Sequence, residues 1–315
     1  MSNTQSQFIF IPIASYLDPL LFFTLNSAYK NAKYPKNLVF GVVDQNFTNQ
    51  REEIKKLPFA DQIRYCHLFP EDTLGVSWAR SIAYSLYNGE DYLLQVDSHT
   101  YFEDGWDEKL INQLNELKTI SKKPILSTYP YDFRLQENTP IYKESGNQTV
   151  LVLKPHPDES ITVDNPIARF RANHVFSEKS VLGSHLAGGF IFCDASFIEE
   201  VPYDPYMYFH GEEQNLSLRA FTRGWDIYHP KYIPLYHHYK EANVAHDTHH
   251  WHGDVKEKRD FDSVSLRLRA QDRLVKLIRG DLDEGVYGLG KVRNLNDFRI
   301  LSGIDYINGG IDENL

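Results

Sequence analysis

The tripeptide Asp97-Ser98-His99 directly follows the apolar run 92–96, which has the composition of a buried strand. Side chains alternate between the two faces of a strand, so residues 97 and 99 point the same way and can share one metal ion. A carboxylate oxygen and an imidazole nitrogen suit Mn²⁺ and similar divalent cations. The spacing therefore favours a metal site at the end of this strand. The alternative is a strand-end turn in which Asp97 acts as a cap.

Two further motifs carry residues that could contact a ligand. Gly188 and Gly189 precede an apolar run at 190–193. Without a Cβ they let a ligand approach backbone N–H groups, although a simple turn uses the same residues. Gly211-Glu212-Glu213 begins a segment with helical spacing. The helix dipole favours carboxylates in a first turn, so a purely structural role is the alternative there.

Histidines are concentrated in two late segments. His237-His238 stand in a strand-like stretch, and neighbours on a strand face opposite ways, so only one of them can reach a shared ligand. The segment 246–252 holds four histidines and Trp251. Such a cluster can bind transition metals, but it lacks a paired Cys or Glu at zincin spacing, and similar loops often only titrate in solvent.

The elements that position these residues alternate between strand-like and helix-like runs. Strands are predicted at 8–14, 37–44, 63–68, 91–96 and 125–128, and helices at 19–31, 49–56, 76–87 and 105–117. This alternation predicts an α/β fold with a mainly parallel sheet covered by helices on both faces. Ligands of such sheets bind beyond the carboxyl ends of the strands. Asp44 and Asp97 lie at such ends, which supports the metal-site interpretation.

The alternation stops between about 136 and 184, where short strand-like runs at 149–154 and 161–163 are separated by proline and polar residues. We interpret this part as an insertion of antiparallel strands and loops. Residues 256–279 combine an apolar stripe with several Arg and Lys, which predicts an amphipathic helix. Its basic side is a solvated face or a guide for an anionic acceptor. The tail after Gly303 is rich in Gly, Asn and Asp and is expected to fray.

The composition is that of a globular protein of 315 residues, 42% hydrophobic and 24% charged. The formal net charge of −10 argues against a nucleic-acid binder, because phosphate contacts need clustered Lys and Arg. The apolar run 8–14 is too short for a signal peptide or a membrane anchor. We therefore expect a cytoplasmic protein whose two cysteines, Cys66 and Cys193, are free thiols.

Taken together and in this order, the motifs Asp-x-His, Gly-Gly-Phe, Gly-Glu-Glu, Arg-x-x-x-x-Gly-Trp and a final histidine resemble the GT-A glycosyltransferases. The chain looks closest to the Skp1 hydroxyproline N-acetylglucosaminyltransferases and their bacterial and viral relatives, and is distantly similar to polypeptide N-acetylgalactosaminyltransferases. The most specific part is the run 90–99, and similar runs lie at 15–19, 32–35, 78–80, 105–107, 287–290, 293–295 and 302–305. At Leu17 the family is expected to have a basic residue, which puts a phosphate contact from that position in doubt.

The resemblance implies a metal-dependent transferase that moves a sugar from a UDP-sugar to an acceptor hydroxyl. Asp97 and His99 would bind Mn²⁺ or Mg²⁺ between the two phosphates of the donor. The final histidine motif would supply a third ligand, His237 in preference to His238. N-acetylglucosamine is the donor sugar that the resemblance favours. The acceptor would be a hydroxyproline, another protein hydroxyl, a glycan or a hydroxymethylated base.

The same resemblance assigns further residues to the donor. Pro12, Ala14 and Ser15 would follow the first strand and meet uracil and ribose, and Asp44 would bond to the base or ribose. Arg80 would contact the diphosphate or orient Asp97, the alternative being an ordinary surface ion pair. Gly188 and Gly189 would line the sugar pocket. The segment 246–252 would be a mobile lid with Trp251 as its stacking residue; an inert loop and a metal site are the alternatives.

Glu212 and Glu213 would lie near the sugar hydroxyls or the acceptor. In an inverting enzyme one of them would be the base for the acceptor hydroxyl. In a retaining enzyme, which the resemblance favours, they would position groups around a front-face reaction in which the diphosphate helps to accept the proton. The sequence leaves the stereochemistry open.

This interpretation divides the chain into a GT-A catalytic domain at 1–240 and, at 241–315, a lid loop with a C-terminal helical extension packed on the same domain. Three alternatives remain open: a catalytically silent sugar-nucleotide binding protein, a glycosyltransferase acting on hydroxymethylated bases in DNA, and a metallohydrolase. The hydrolase alternative predicts zinc binding through His249 or His250 and indifference to Asp97. No membrane partner is expected.

Overall fold

A computed structural model describes residues 7–137, 139–142, 149–239, 259, 261–282 and 285–312. Within these residues fourteen strands and eight α-helices are found. The strands are β1 (Ile9–Tyr16), β2 (Leu38–Gln45), β3 (Ile63–Leu68), β4 (Tyr92–Val96), β5 (Thr100–Phe102), β6 (Pro124–Ser127), β7 (Tyr131–Gln136), β8 (Thr139–Tyr142), β9 (Thr149–Pro155), β10 (Phe170–Phe176), β11 (Val181–Leu182), β12 (Phe190–Asp194), β13 (Asp226–His229) and β14 (Leu235–His237). The helices are α1 (Leu21–Asn31), α2 (Arg51–Ile54), α3 (Val76–Tyr84), α4 (Trp106–Lys118), α5 (Ser196–Glu200), α6 (Glu212–Thr222), α7 (Ser263–Arg279) and α8 (Leu295–Ser302).

The central sheet has eight strands in the order β11-β13-β6-β12-β4-β1-β2-β3. Strands β4, β1, β2 and β3 are parallel neighbours, as the apolar runs predict, and β13 is parallel to β6. Strand β12 is antiparallel to both β4 and β6. The parallel half places the carboxyl ends of β1 and β4 at one edge of the sheet.

Helices cover both faces of this sheet because its inner strands are apolar on both sides. On one face Ile9, Ile11 and Ile13 of β1 share a core with buried side chains of α1 and α4. On the other face Phe10 and Leu93 share a core with side chains of α5 and α6. Burial on both faces accounts for the near-continuous apolar sequence of the strands.

A second sheet has the order β5-β14-β7-β8, and β9 and β10 form an antiparallel pair inside the predicted insertion. The strand expected at 149–154 is present as β9. The strand expected at 161–163 is wrong: these residues form a loop. Ile161 is apolar because it is buried in a core with α7 and α8, not because it pairs in a sheet.

The C-terminal part packs against the rest of the molecule. The basic amphipathic segment forms α7, whose buried face includes Leu266, Leu274 and Leu277. The expectation that the tail after Gly303 frays is wrong for residues 304–312, because Ile304 and Tyr306 are buried in the same core as α7. Both cysteines are free thiols. None of the helices in the described ranges is long and apolar enough to span a bilayer.

Candidate active site

A cavity of about 430 Å³ opens at the carboxyl ends of β1 and β4. It is lined by Ala14, Tyr16, Asp18, Gln45, Thr73, Gly75, Val76, Arg80, Asp97, Ser98, His99, Gly188, Gly189, Phe209, Glu212, Glu213, His237 and Tyr239. Nine of the residues singled out in the sequence are among them, although they come from six separate segments of the chain. The position of the cavity is that expected for a ligand site in an open α/β sheet.

Asp97, His99 and His237 form a cluster in the wall of this cavity. One ligand atom of each lies within 4.8 Å of the others. His237 Nε2 is 3.1 Å from Asp97 Oδ2 and 3.0 Å from His99 Nε2. The antiparallel pairing of β14 with β5 places His237 opposite Thr100, the residue after His99. Two imidazole nitrogens and a carboxylate that converge in this way form a donor set suited to a divalent metal.

The Asp97 carboxylate is ionised in this setting. Burial by itself would raise its pKa, but the hydrogen bond with His237 and the charge of Arg80 hold the pKa well below its ordinary value. Burial also lowers the pKa of His237, which favours the neutral imidazole that a metal needs. In the described part of the chain, His237 Nδ1 is buried and makes no hydrogen bond.

Arg80 connects the cluster to the first turn of α6. Its guanidinium donates to Asp97 Oδ1 at 2.7 Å and to Glu212 Oε1 at 2.5 Å, and its Nη1 lies 3.3 Å from the Tyr203 hydroxyl. Ser77 donates to the other Glu212 oxygen at 3.1 Å. The Arg80 side chain is 6% exposed, so the interpretation as a surface ion pair is wrong. Burial lowers its pKa, but Glu212, Asp97 and the other acidic neighbours together outweigh this, and the pKa lies well above its ordinary value.

Glu213 contacts a different set of groups. It accepts hydrogen bonds from the Gly188 N–H at 2.6 Å and from the Tyr129 hydroxyl at 3.0 Å. Burial and the neighbouring charge of Glu212 raise its pKa to about 7. Glu213 therefore changes its charge near neutral pH, while Glu212 is paired with the fixed charge of Arg80.

Gly188 and Gly189 leave space that a Cβ would fill. A Cβ on Gly188 would lie 2.3 Å from Arg80 Nη1, and one on Gly189 would lie 2.7 Å from Asp97 Oδ2. Neither glycine has a positive φ. They form a turn in which the Phe190 N–H donates to the Ala187 carbonyl at 3.1 Å, but this turn does not require glycine. Their lack of a side chain therefore serves the packing of the site.

Three of the predicted donor residues lie deeper than expected. Strand β1 runs two residues beyond the predicted end, so Ser15 lies inside it, as Pro12 and Ala14 do, and none of the three follows the strand. Ala14 lines the cavity, whereas Pro12 and Ser15 are buried and do not. Asp44 is fully buried, does not line the cavity, and accepts a hydrogen bond from the Tyr65 hydroxyl at 2.9 Å.

Two other predicted residues are not in the cluster. His238 follows the end of β14, its N–H donates to the His99 carbonyl, and its ring packs against Phe133. The metal-ligand cluster thus contains His237, the preferred of the two neighbours, and not His238. Trp251 and the histidine-rich segment 246–252 lie outside the described residues.

Several residues of the site were not recognised in the sequence. Asp18 contacts His99, and Tyr239 lines the cavity. The Tyr129 hydroxyl donates to Glu213, and the Tyr203 hydroxyl accepts a hydrogen bond from Arg80. Gln95 of β4 donates to both the Gly188 carbonyl and the Tyr203 hydroxyl. Asp18 and Gln95 stood in runs that resembled the family, although neither was assigned a role; the three tyrosines carried no local signal.

Comparison with known families adds an independent observation. A family model described as glycosyltransferase (GlcNAc) matches residues 48–308 of the sequence. This chain belongs to that family. The match includes the Asp-x-His tripeptide, both glycines, both glutamates and the final histidine. The residues that line the cavity therefore lie largely within the part of the chain that matches the family. No curated protein sequence matches the chain.

A solved structure confirms the fold of this chain. GalNAc-T7 in a crystal structure with UDP, GalNAc and Mn²⁺ is similar with a TM-score of 0.60 and 15% identity, over 93% of this chain and 54% of that one. The chain thus spans about half the length of GalNAc-T7. S. aureus TarS 1–349 with UDP-GlcNAc is similar with a TM-score of 0.44 and 14% identity, over 85% and 70% of the two chains. The similarity to GalNAc-T7 confirms the GT-A fold expected from the motifs.

Proposed function

We propose that the protein transfers a sugar, N-acetylglucosamine, from a UDP-sugar to an acceptor hydroxyl in a metal-dependent reaction. The observation that carries this proposal is the convergence of Asp97, His99 and His237 in the main cavity, linked through Arg80 to Glu212. Membership in the glycosyltransferase (GlcNAc) family supports both the activity and the sugar. The GalNAc-T7 structure contains UDP and Mn²⁺, which supports the donor class and the metal.

The residues of the cluster fit a divalent cation. His99 Nε2 and His237 Nε2 face each other at 3.0 Å beside an ionised carboxylate, an arrangement that a cation stabilises. The lack of a Cβ at Gly189 keeps the space next to Asp97 open. Bound there, Mn²⁺ or Mg²⁺ would neutralise the diphosphate and stabilise it as a leaving group.

We assign the donor to the side of the cavity where β1 ends. Ala14 and Tyr16 line this side, and Arg80 holds Asp97 in place at the bottom. Gly188 and Gly189 are assigned to the sugar, because a side chain at either position would enter the space beside Arg80 or Asp97. Asp44 is not part of this wall: it lies beside Ser15 in the neighbouring strand β2 and bonds to Tyr65 of β3.

We assign positioning roles to both glutamates and infer transfer with retention. Glu212 is held by Arg80 and Ser77, and Glu213 by Gly188 and Tyr129, so each carboxylate already uses two partners. In a front-face reaction the departing diphosphate accepts the acceptor proton, and neither glutamate has to give up its contacts. Anomeric configuration of the product, read by NMR, tests this assignment: an inverted product contradicts it.

The acceptor is assigned to a second cavity of about 420 Å³, which shares Phe209, Glu212 and Glu213 with the main cavity. Its cationic side chain Arg169 is paired with Asp158 and Glu159. A polyanionic acceptor needs unpaired cations, so we favour an uncharged protein or glycan hydroxyl over a hydroxymethylated base in DNA. A hydroxyproline, as in the Skp1-modifying family, is one such hydroxyl.

The experiment that tests the proposal is release of UDP from a panel of UDP-sugars, with Mn²⁺ or with EDTA. We expect slow hydrolysis of UDP-GlcNAc that requires the metal and falls at least about 100-fold in Asp97→Asn, because a metal ligand is lost. Asp107→Asn, a buried carboxylate outside the cavity, is the matched control and should retain the activity.

Two outcomes would contradict the proposal. Donor binding without turnover, even with candidate acceptors, would indicate a silent sugar-nucleotide binding protein. Failure to bind any UDP-sugar, together with zinc-dependent hydrolysis that is unchanged in Asp97→Asn, would favour the metallohydrolase alternative.

A further inference from the structure

Asp18 lies beside His99, 81 residues away in the sequence. Its Oδ2 atom is 2.5 Å from His99 Nδ1, and its side chain is 12% exposed. The Ser98 hydroxyl donates to the same oxygen at 2.6 Å. The Leu20 N–H donates to the other oxygen, Oδ1, at 2.8 Å. Three neighbours thus fix the orientation of this carboxylate.

The backbone just before Asp18 is unusual. Leu17 has a φ of +49°, in the left-handed region that non-glycine residues rarely adopt. Its N–H donates to the Gln45 carbonyl at 3.0 Å, which extends the pairing of β1 with β2 by one residue before the chain turns. A left-handed leucine costs on the order of 1 kcal/mol or more and persists only where its surroundings hold it. Here the strained residue directly precedes the carboxylate that meets His99.

We propose that Asp18 is a positioning residue that keeps the proton of neutral His99 on Nδ1, so that the Nε2 lone pair faces Asp97 and His237. An ionised carboxylate only accepts hydrogen bonds, so the ring nitrogen next to it must carry the proton. The other nitrogen is then the one available to a cation, and its distance of 3.0 Å to His237 Nε2 places it in the cluster. This inference rests on the proposed function for the identity of the cation, but the tautomer itself does not depend on it.

The first test is ¹⁵N NMR of the imidazoles in the metal-free protein at about pH 8, with His99 assigned by comparison with His99→Gln. We expect wild-type His99 to be protonated on Nδ1 and bare on Nε2. In Asp18→Asn the amide can donate to Nδ1, so we expect the proton to move to Nε2 in a large fraction of the molecules. A wild-type His99 that is protonated on Nε2 overturns the proposal.

The second test is titration of the metal-free protein with Mn²⁺, followed by calorimetry. Loss of a carboxylate that orients a ligating histidine weakens metal binding about 10–100-fold, and we expect a Kd increase in this range for Asp18→Asn. Ser98→Ala, which removes one of the three partners of Asp18, should give a smaller increase. It also remains informative if Asp18→Asn does not fold.

Asp107→Asn is the control for a merely structural role. Asp107 is likewise a buried carboxylate, which accepts from the Lys33 and Tyr34 N–H groups at 2.7 and 2.8 Å. We expect the Asp107→Asn substitution to lower the unfolding temperature without changing the Kd for Mn²⁺. Equal Mn²⁺ affinity in wild type and both Asp18→Asn and Ser98→Ala overturns the proposal. If wild type binds no Mn²⁺, the proposed function fails, and the tautomer measurement still decides the role of Asp18.

Discussion

At the scale of the residue, Arg80 sets the charge balance of the cavity. It is the buried cation shared by Asp97 and Glu212, and its guanidinium reaches both with separate nitrogens. A buried carboxylate that loses its partner is costly, because its charge is no longer compensated. Arg80 therefore contributes to the stability of the site and to the orientation of Asp97 through one planar group.

Arg80→Lys tests this bridging role. Lysine keeps the charge but has a single nitrogen, so it cannot bond in the same way to both carboxylates. We expect kcat/KM for UDP-sugar hydrolysis to fall by about 10–100-fold, as for the loss of a charged hydrogen bond. Steady-state kinetics and the unfolding temperature are the measurements. Full activity in Arg80→Lys would contradict the role assigned to this residue.

The raised pKa of Glu213 makes the free energy of unfolding depend on pH. This pKa is about 7 in the folded protein, compared with an ordinary value of 4.5. Between these values the folded state binds more protons than the unfolded state, so the free energy of unfolding decreases as the pH rises from about 4.5 to about 7. Because Glu213 is partly open to the cavity, we expect this decrease to amount to about 1–3 kcal/mol.

Glu213→Gln should remove that part of the pH dependence, because glutamine is neutral at every pH in this range. Urea unfolding of both proteins at about pH 5 and about pH 8 measures the difference. We expect the wild type to lose more stability than the variant between the two conditions. An identical loss in both would mean that Glu213 titrates at its ordinary pKa.

At the scale of the element, strand pairing decides which residues form the site. The sequence predicts that Asp97 and His99 stand at the end of a strand, because the apolar run before them is local and clear. The local pattern does not predict that His237 joins them, since that depends on the pairing of β14 with β5, more than 130 residues away along the chain. For the same reason the contacts of Arg80 with Glu212, and of Asp18 with His99, have no local signal. The choice of His237 came from the family resemblance alone. The left-handed conformation of Leu17 also has no signal in the sequence, because leucine rarely adopts it.

The glycines at the start of β12 offer a test at this scale. A Cβ at Gly189 would meet Asp97, whereas a Cβ at Gly280, at the end of α7, would meet nothing within 4 Å but has a φ of +76°. We expect Gly189→Ala to reduce metal-dependent UDP release at least about 10-fold through the displaced Asp97. Gly280→Ala should instead cost about 1 kcal/mol of stability and leave the activity unchanged.

Activity assays and thermal unfolding of the two variants separate the effects. The opposite pattern, with activity lost in Gly280→Ala and kept in Gly189→Ala, would contradict the placement of the site at β12.

At the scale of the whole molecule, the C-terminal part of the chain supports the cavity from a distance. Tyr306 is buried, and its hydroxyl lies 2.9 Å from His185 Nε2 and 2.8 Å from Gln214 Nε2. Gln214 belongs to the first turn of α6, next to Glu213. The content of Gly, Asn and Asp after Gly303 suggested a frayed tail. The contacts of Tyr306 depend on residues far away in the sequence, so composition could not predict them.

Tyr306→Phe tests this support. The change removes the hydroxyl and leaves the His185 and Gln214 side chains with one partner fewer in a buried setting, which should cost about 1–3 kcal/mol of unfolding free energy. Urea denaturation is the measurement. Tyr206→Phe, at an exposed tyrosine on the neighbouring surface, is the control and should change the stability by less than about 0.5 kcal/mol. Equal stability of the two variants would contradict a supporting role for the tail.

The central claim is that Asp97, His99 and His237 together hold the cation of a UDP-sugar transferase. Crystals grown with Mn²⁺ and UDP, measured at the manganese absorption edge, test it directly. We predict one strong anomalous peak in contact with one oxygen of Asp97 and with Nε2 of both His99 and His237, and UDP in the adjoining main cavity. A peak elsewhere in the protein, or UDP bound without any peak at this cluster, would contradict the account.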